Sequence, residues 1–102
     1  MNLSPELQEI FDKTVIETID QIPPISIGFK GPGLDLKKYV DNEMDFYLGV
    51  VMATIQERYM CKVLNEKKFT VQDVYSTMPY TIITTYSMIP KLKEEIKKQL
   101  RL

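Results

Sequence analysis

The sequence predicts an all-α (mainly α) fold, and three observations point there. Leu36, Val40, Met44, Leu48, Val51, Ile55 and Tyr59 recur every three or four positions, which places one apolar stripe on a long helix. Ser4-Pro5-Glu6 opens the chain with a helix-start signal. Ile82, Tyr86, Ile89, Leu92, Ile96 and Leu100 keep helical spacing to the end. Together they give a single four- to five-helix domain over residues 1–102, built around a long central helix.

The first helix is the clearest. Ser4 is a good N-cap, Pro5 suits the first helical position, and Glu6 puts negative charge at the positive end of the helix dipole. Leu7, Ile10, Phe11, Thr14, Val15, Thr18 and Ile19 trace one broad face, with Glu9, Asp12, Lys13, Glu17 and Asp20 opposite. Pro23 and Pro24 disfavour helical geometry just before them, so the helix ends near Gln21.

Residues 22–33 form a Pro/Gly-rich linker with three of the six prolines and three of the four glycines. Ile25, Ile27 and Phe29 alternate with polar or small residues, a strand-like pattern. The β-branched run Thr81 to Tyr86 could pair with it, so a short two-stranded β-pair is the structural alternative to helix at 80–86. Gly28-Phe29-Lys30-Gly31 matches the bare G-x-x-G of KH domains, but such a loop joins two helices. A tight turn explains these glycines more simply.

The second helix begins near Asp35, pauses at Asp41-Asn42, and restarts through Tyr47 to Val63. Gly49 inside it costs about 1 kcal/mol relative to Ala, which a close helix crossing would explain. Lys67-Lys68 complements the helix end. Thr70-Val71-Gln72-Asp73 is a capping box with Asp in place of Glu. The helix it opens is expected to be short, because Pro79 follows and Thr77 can cap a new one. Pro90 bends or divides the last helical stretch, and Lys91 to Leu102 is helical.

Composition narrows the chemistry. The 102 residues are 44% hydrophobic and 26% charged, as in ordinary globular proteins. With no His, classical triads and Glu-x-x-His di-iron sites are excluded. A non-enzyme without cofactor or metal is expected. Asp41, Glu43 and Asp45 are the one carboxylate cluster, more simply read as an acidic helix start than as a cation or proton-transfer site. Cys61 is the sole cysteine, so no intrachain disulfide forms. That thiol content, the lack of a signal-like start and the prolines in the uncharged run Val74 to Pro90 predict a cytoplasmic protein with no membrane partner. Residues 1–60 hold five basic and ten acidic groups, residues 61–102 eight basic and four acidic. Such a split favours attraction between the two parts, within one chain or between antiparallel subunits.

Two functional readings follow. Phe46, Tyr47, Leu48, Val50, Val51, Met52 and Ala53 cover nearly the whole helix circumference, so that segment is central or lies between subunits. The expected function is that of a small interaction or accessory protein, self-associating or docking on a larger protein through Tyr47, Met52, Tyr59, Ile89, Leu92 and Ile96. The alternative comes from Thr70 to Tyr75, a turn, and Tyr80 to Thr85, which resembles the helix-turn-helix of winged-helix repressors. That resemblance implies a DNA-binding regulator with Tyr80, Thr81, Thr84 and Thr85 in the major groove and Lys91 and Lys93 of the basic tail on phosphate. The segment departs from such helices in carrying no Arg or Lys before Lys91.

Overall fold

The computed structural model describes residues 3–27 and 35–102. The fold is all-α: α1 (Pro5–Asp20), α2 (Ile22–Ser26), a 3₁₀ turn (Leu36–Lys38), α3 (Glu43–Asn65), α4 (Val71–Ser87) and α5 (Ile89–Leu100), with no strand among the described residues. The candidate β-pair is absent at its described positions. Ile25 and Ser26 belong to α2, and 81–86 lies inside α4. Phe29 and the glycines at 28, 31 and 33, with the KH-like tetrapeptide, lie outside the described residues.

Capping chemistry sets the boundaries. The Ser4 hydroxyl accepts from the Leu7 amide at 3.3 Å, and Pro5 follows in the first turn. After α1 ends, Pro23 and Pro24 do not break the chain's helicity as the linker reading expected. They sit in the first turn of α2, where their missing N–H groups would have had no partner anyway. Asp35 caps the 3₁₀ turn through the Lys37 amide, and Asn42 caps α3 through the Asp45 amide at 3.0 Å. The helix therefore divides at Asp41-Asn42. Arg101 closes α5 in the left-handed region (φ 57°), and the Leu102 amide reaches back to the Lys97 carbonyl.

α3 is the axis, touched by all four other helices. Its 23 residues run about 34 Å along a body 44 Å long. α1 lies antiparallel to it. Phe11 meets Tyr59 edge-on at 5.7 Å, Arg58 Nη1 donates to Gln21 Oε1 at 2.6 Å, and Lys62 pairs with Glu17. Lys68, in the α3–α4 connection, pairs with Glu6. α5 packs on α3 and α2, and Gln99 Nε2 donates to the Ile19 carbonyl at the end of α1 (3.0 Å). One buried cluster joins Leu7, Phe11, Val15 and Ile19 of α1, Ile22 of α2, six residues of α3, and Leu92, Ile96 and Leu100 of α5. From α4, Val74 alone enters it.

Candidate functional site

α4 is the element whose burial runs against its chemistry. Its capping box is complete: the Asp73 amide donates to Thr70 Oγ1 (3.3 Å), and the Thr70 amide donates to Asp73 Oδ2 (2.6 Å). From that start the helix runs unbroken to Ser87, with Pro79 inside it. A short helix, a turn, and a second helix capped by Thr77 do not occur. Pro79 and Tyr75 are both exposed, so the hydrogen bond that proline removes lies on the solvent side.

The face of α4 turned toward α3 carries Thr77, Thr81 and Thr85, all buried. The outward face carries Val71, Tyr75, Ile83 and Tyr86, exposed by 53%, 60%, 67% and 59%. The helix thus buries threonine hydroxyls while large apolar side chains share its outer side with the exposed Gln72, Ser76 and Ser87. Burying the threonines is cheap because each hydroxyl has a partner. Thr77 Oγ1 donates to the Asp73 carbonyl (2.8 Å) and Thr85 Oγ1 to the Thr81 carbonyl (2.7 Å). Thr81 Oγ1 donates to Gln56 Oε1 on α3 (2.9 Å). Gln56 Nε2 in turn donates to the Thr81 carbonyl (3.2 Å) and to Thr85 Oγ1 (2.9 Å). With the Thr77 proton on Asp73, the Tyr59 phenol is the donor in its 3.1 Å bond to Thr77. Burial pushes the Tyr59 phenol above its ordinary range, and the nearby Asp73 carboxylate adds to the rise. Only the methyl groups of these threonines are left to pack on α3.

Beside this ladder an apolar cleft runs between α3 and α4, lined by Met52, Ala53, Gln56, Ile82, Thr85 and Tyr86. Both donors of Gln56 are spent within the chain. The cleft therefore lacks the convergent free polar groups that orient a small molecule. Gly49 lies along the same open side and is exposed. A Cβ built there meets nothing within 4 Å, so the close crossing expected from the sequence is not made inside this chain.

The sequence-predicted contact residues divide sharply. Tyr47, Tyr59, Leu92 and Ile96 are at most 1% exposed, in the chain's own core, and so are not on the surface of a single chain. Met52 and Ile89 reach the surface in part. Phe46 to Ala53 is covered on most sides but not all. Tyr47, Leu48 and Val51 are buried, Phe46, Val50 and Met52 half-buried, and Gly49 and Ala53 exposed. Of the residues assigned to DNA, Thr81 and Thr85 are buried against Gln56, and Tyr80 and Thr84 are half-buried. The Tyr80 hydroxyl donates to Gln8 of α1 (3.3 Å), and Thr84 Oγ1 donates to the Tyr80 carbonyl (2.8 Å). Lys91 and Lys93 are exposed on α5. The turn of a helix-turn-helix is missing, because 71–87 is one helix.

Elsewhere, Asp41 and Asp45 are exposed and Glu43 half-buried at the start of α3. No group of three His, Cys, Asp or Glu among the described residues is placed to hold a metal ion. No helix among them is long and apolar enough to cross a membrane. Lys62 holds the Glu17 carboxyl below its usual range by hydrogen bond and charge, and Glu6 raises Lys68. The outer side of α4 escaped sequence reasoning. Its signal was present in the absence of any charge between Asp73 and Lys91. Comparison with protein-family models, with curated proteins and with solved structures found no match.

Proposed function

We propose that this chain is a small interaction protein, without enzymatic activity of its own, that docks on protein through the open face shared by α3 and α4. One observation carries the proposal: α4 turns its threonines inward and its valine, isoleucine and tyrosines outward. Single exposed apolar residues are ordinary on any protein, but a continuous stripe beside an apolar cleft marks a contact surface. Tyrosine adds to this, since its apolar ring and polar end suit interfaces. With both Gln56 donors spent, the Tyr86 hydroxyl is the free donor left at the cleft, too little to orient a small ligand, which favours side chains of a partner as its occupants.

The test is binding of an apolar fluorescent dye to the chain at high dilution. Dye should bind, and Ile83→Lys combined with Tyr86→Lys should abolish binding while helicity and Tm persist. A dilute wild-type chain that binds no dye removes the proposal.

A second role, contact with an anionic partner such as duplex DNA, is favoured by α5. Lys91, Lys93, Lys97, Lys98 and Arg101 are all exposed there, and none is in an ion pair among the described residues. Duplex affinity that is absent even at low salt, where phosphate attraction is strongest, ends that role.

A further inference from the structure

We infer that the occupant of the α3–α4 face is a second copy of this chain, related by a two-fold axis that sets the two α3–α4 pairs antiparallel. This deepens the docking proposal and rests on it. Three properties of the face select a copy over an unrelated partner.

The first is self-complementarity. An interface built on a two-fold axis must match itself, so any charge near its centre meets its own sign. The outer faces of α1 and α5 fail this condition: Glu6, Glu9, Asp12, Glu17 and Asp20 crowd the one, and five cations the other. The α4 half of the face satisfies it, with no charged residue from Val74 to Pro90, whereas the α3 half carries the exposed Glu57 one turn past Ala53, so the axis passes over α4 and leaves Glu57 to the rim.

The second is charge at the ends. Asp45 stands exposed near the start of α3, and Lys67 stands exposed just past its end. Neither is in an ion pair among the described residues. The antiparallel two-fold brings each Asp45 toward the Lys67 of the other copy, at both rims at once. A parallel pairing would set like against like.

The third is extent. Val71, Tyr75, Ile83 and Tyr86 each expose more than half their surface. With Met52, Ala53 and Ile82 they offer roughly 700 Å², close to the ~800 Å² per partner of a standard interface. Gly49 is consistent with this: a helix-interior glycine with nothing near it in its own chain lies on the side where the copy's helices approach.

The experiment is sedimentation equilibrium on the full chain at low ionic strength, from about 1 µM to 1 mM. A monomer–dimer equilibrium is expected. Ile83→Lys should weaken it about 10-fold or more, by placing two lysines in the dry centre. Lys67→Glu and Asp45→Lys should each weaken it about 5-fold, since the two-fold counts every rim charge twice. Mixing these two single variants should restore wild-type affinity. At one rim the glutamate introduced at position 67 then meets the lysine introduced at position 45, and at the other the unchanged Asp45 meets the unchanged Lys67. A mixture no tighter than either variant alone overturns the antiparallel arrangement. Dimers indifferent to Ile83→Lys overturn the choice of face. A strict monomer across the range overturns self-association altogether. If that monomer still binds dye at Ile83 and Tyr86, docking on another protein stands while the second copy falls. If it binds none, both fall.

Discussion

α4 and α5 are separated by Met88 alone, and both pack on α3, yet they divide their side chains in opposite ways. α5 with its cap Arg101 buries Leu92, Ile96 and Leu100 and shows solvent five cations and Glu94, with Glu95 half-buried. α4 buries Thr77, Thr81 and Thr85 and shows solvent Val71, Tyr75, Ile83 and Tyr86. The energetics differ accordingly. A buried leucine or isoleucine contributes about 1.5–3 kcal/mol, whereas a threonine methyl contributes about 0.8 kcal/mol. α5 is therefore anchored by its side chains, and α4 is held more by hydrogen bonds through Gln56 and Tyr59, by the buried Val74, and by Met78 and Tyr80, half-buried against the core. Stability inside the chain accounts for the buried side of α5, but it does not account for the exposed apolar side chains of α4.

The sharpest way to break this contrast is to cut both helices. Ile96→Ala empties a fully buried site and should cost about 2–5 kcal/mol in denaturant unfolding. Equal losses from Ile83→Ala would show that the exposed face of α4 is also structural. Next in size, Thr81→Val keeps the packing but removes the donor to Gln56 Oε1, and should cost about 1–2 kcal/mol. No loss at all would mean that the hydroxyl ladder does not hold α4.

Tyr59→Phe should cost about 0.5–1.5 kcal/mol, because Thr77 keeps its bond to Asp73 and loses only the phenol. The same residue sets an alkaline limit. Its raised folded-state pKa means that the unfolded chain releases the phenol proton first. Its stabilising contribution is complete below the ordinary tyrosine range near pH 10 and is lost as pH rises through the folded value. Unfolding free energy measured against pH should fall more gently above that point in Tyr59→Phe than in the wild type.

Smaller effects separate the open side of α3 from its packed sides. Gly49→Ala should stabilise the chain by about 0.5–1 kcal/mol, since the new methyl meets nothing and the helix gains propensity. Destabilisation there would reveal a neighbour in the assembled state. Smallest of all, Ile83→Lys should leave the unfolding free energy of the dilute chain within about 0.5 kcal/mol of wild type, as an exposed position predicts. Under the proposed dimer, its effect is on association alone.

Much of the helix layout was legible in the residues because it depends on local chemistry. Ser4, Asn42 and the Thr70–Asp73 box all cap the helices they precede, since a cap needs only a side-chain oxygen and three residues of backbone. Pro90 did divide the last stretch, and that division resets the phase. Ile82, Tyr86, Leu92 and Ile96 look like one stripe in sequence, yet only the last two are buried. Pro23 and Pro24 did end α1 near Gln21, but the same locality misjudged the short helix that holds them, and misjudged Pro79, because a proline's cost depends on whether the lost hydrogen bond falls in a first turn or faces water.

The sequence by itself determined that the chain is helical, where most helices start, and that it lacks the groups for histidine chemistry. Tertiary structure alone decided which apolar stripes are covered by the chain itself. Tyr47, Tyr59, Leu92 and Ile96 carry the same signature as an interface, since periodicity reports that a stripe must be buried without saying by what. It also decided which side of α4 turns inward. A helical threonine satisfies its hydroxyl on its own backbone, so hydrophobicity alone cannot rank the two faces. Gln56, 25 residues away from Thr81, tips that choice only once α3 and α4 lie side by side.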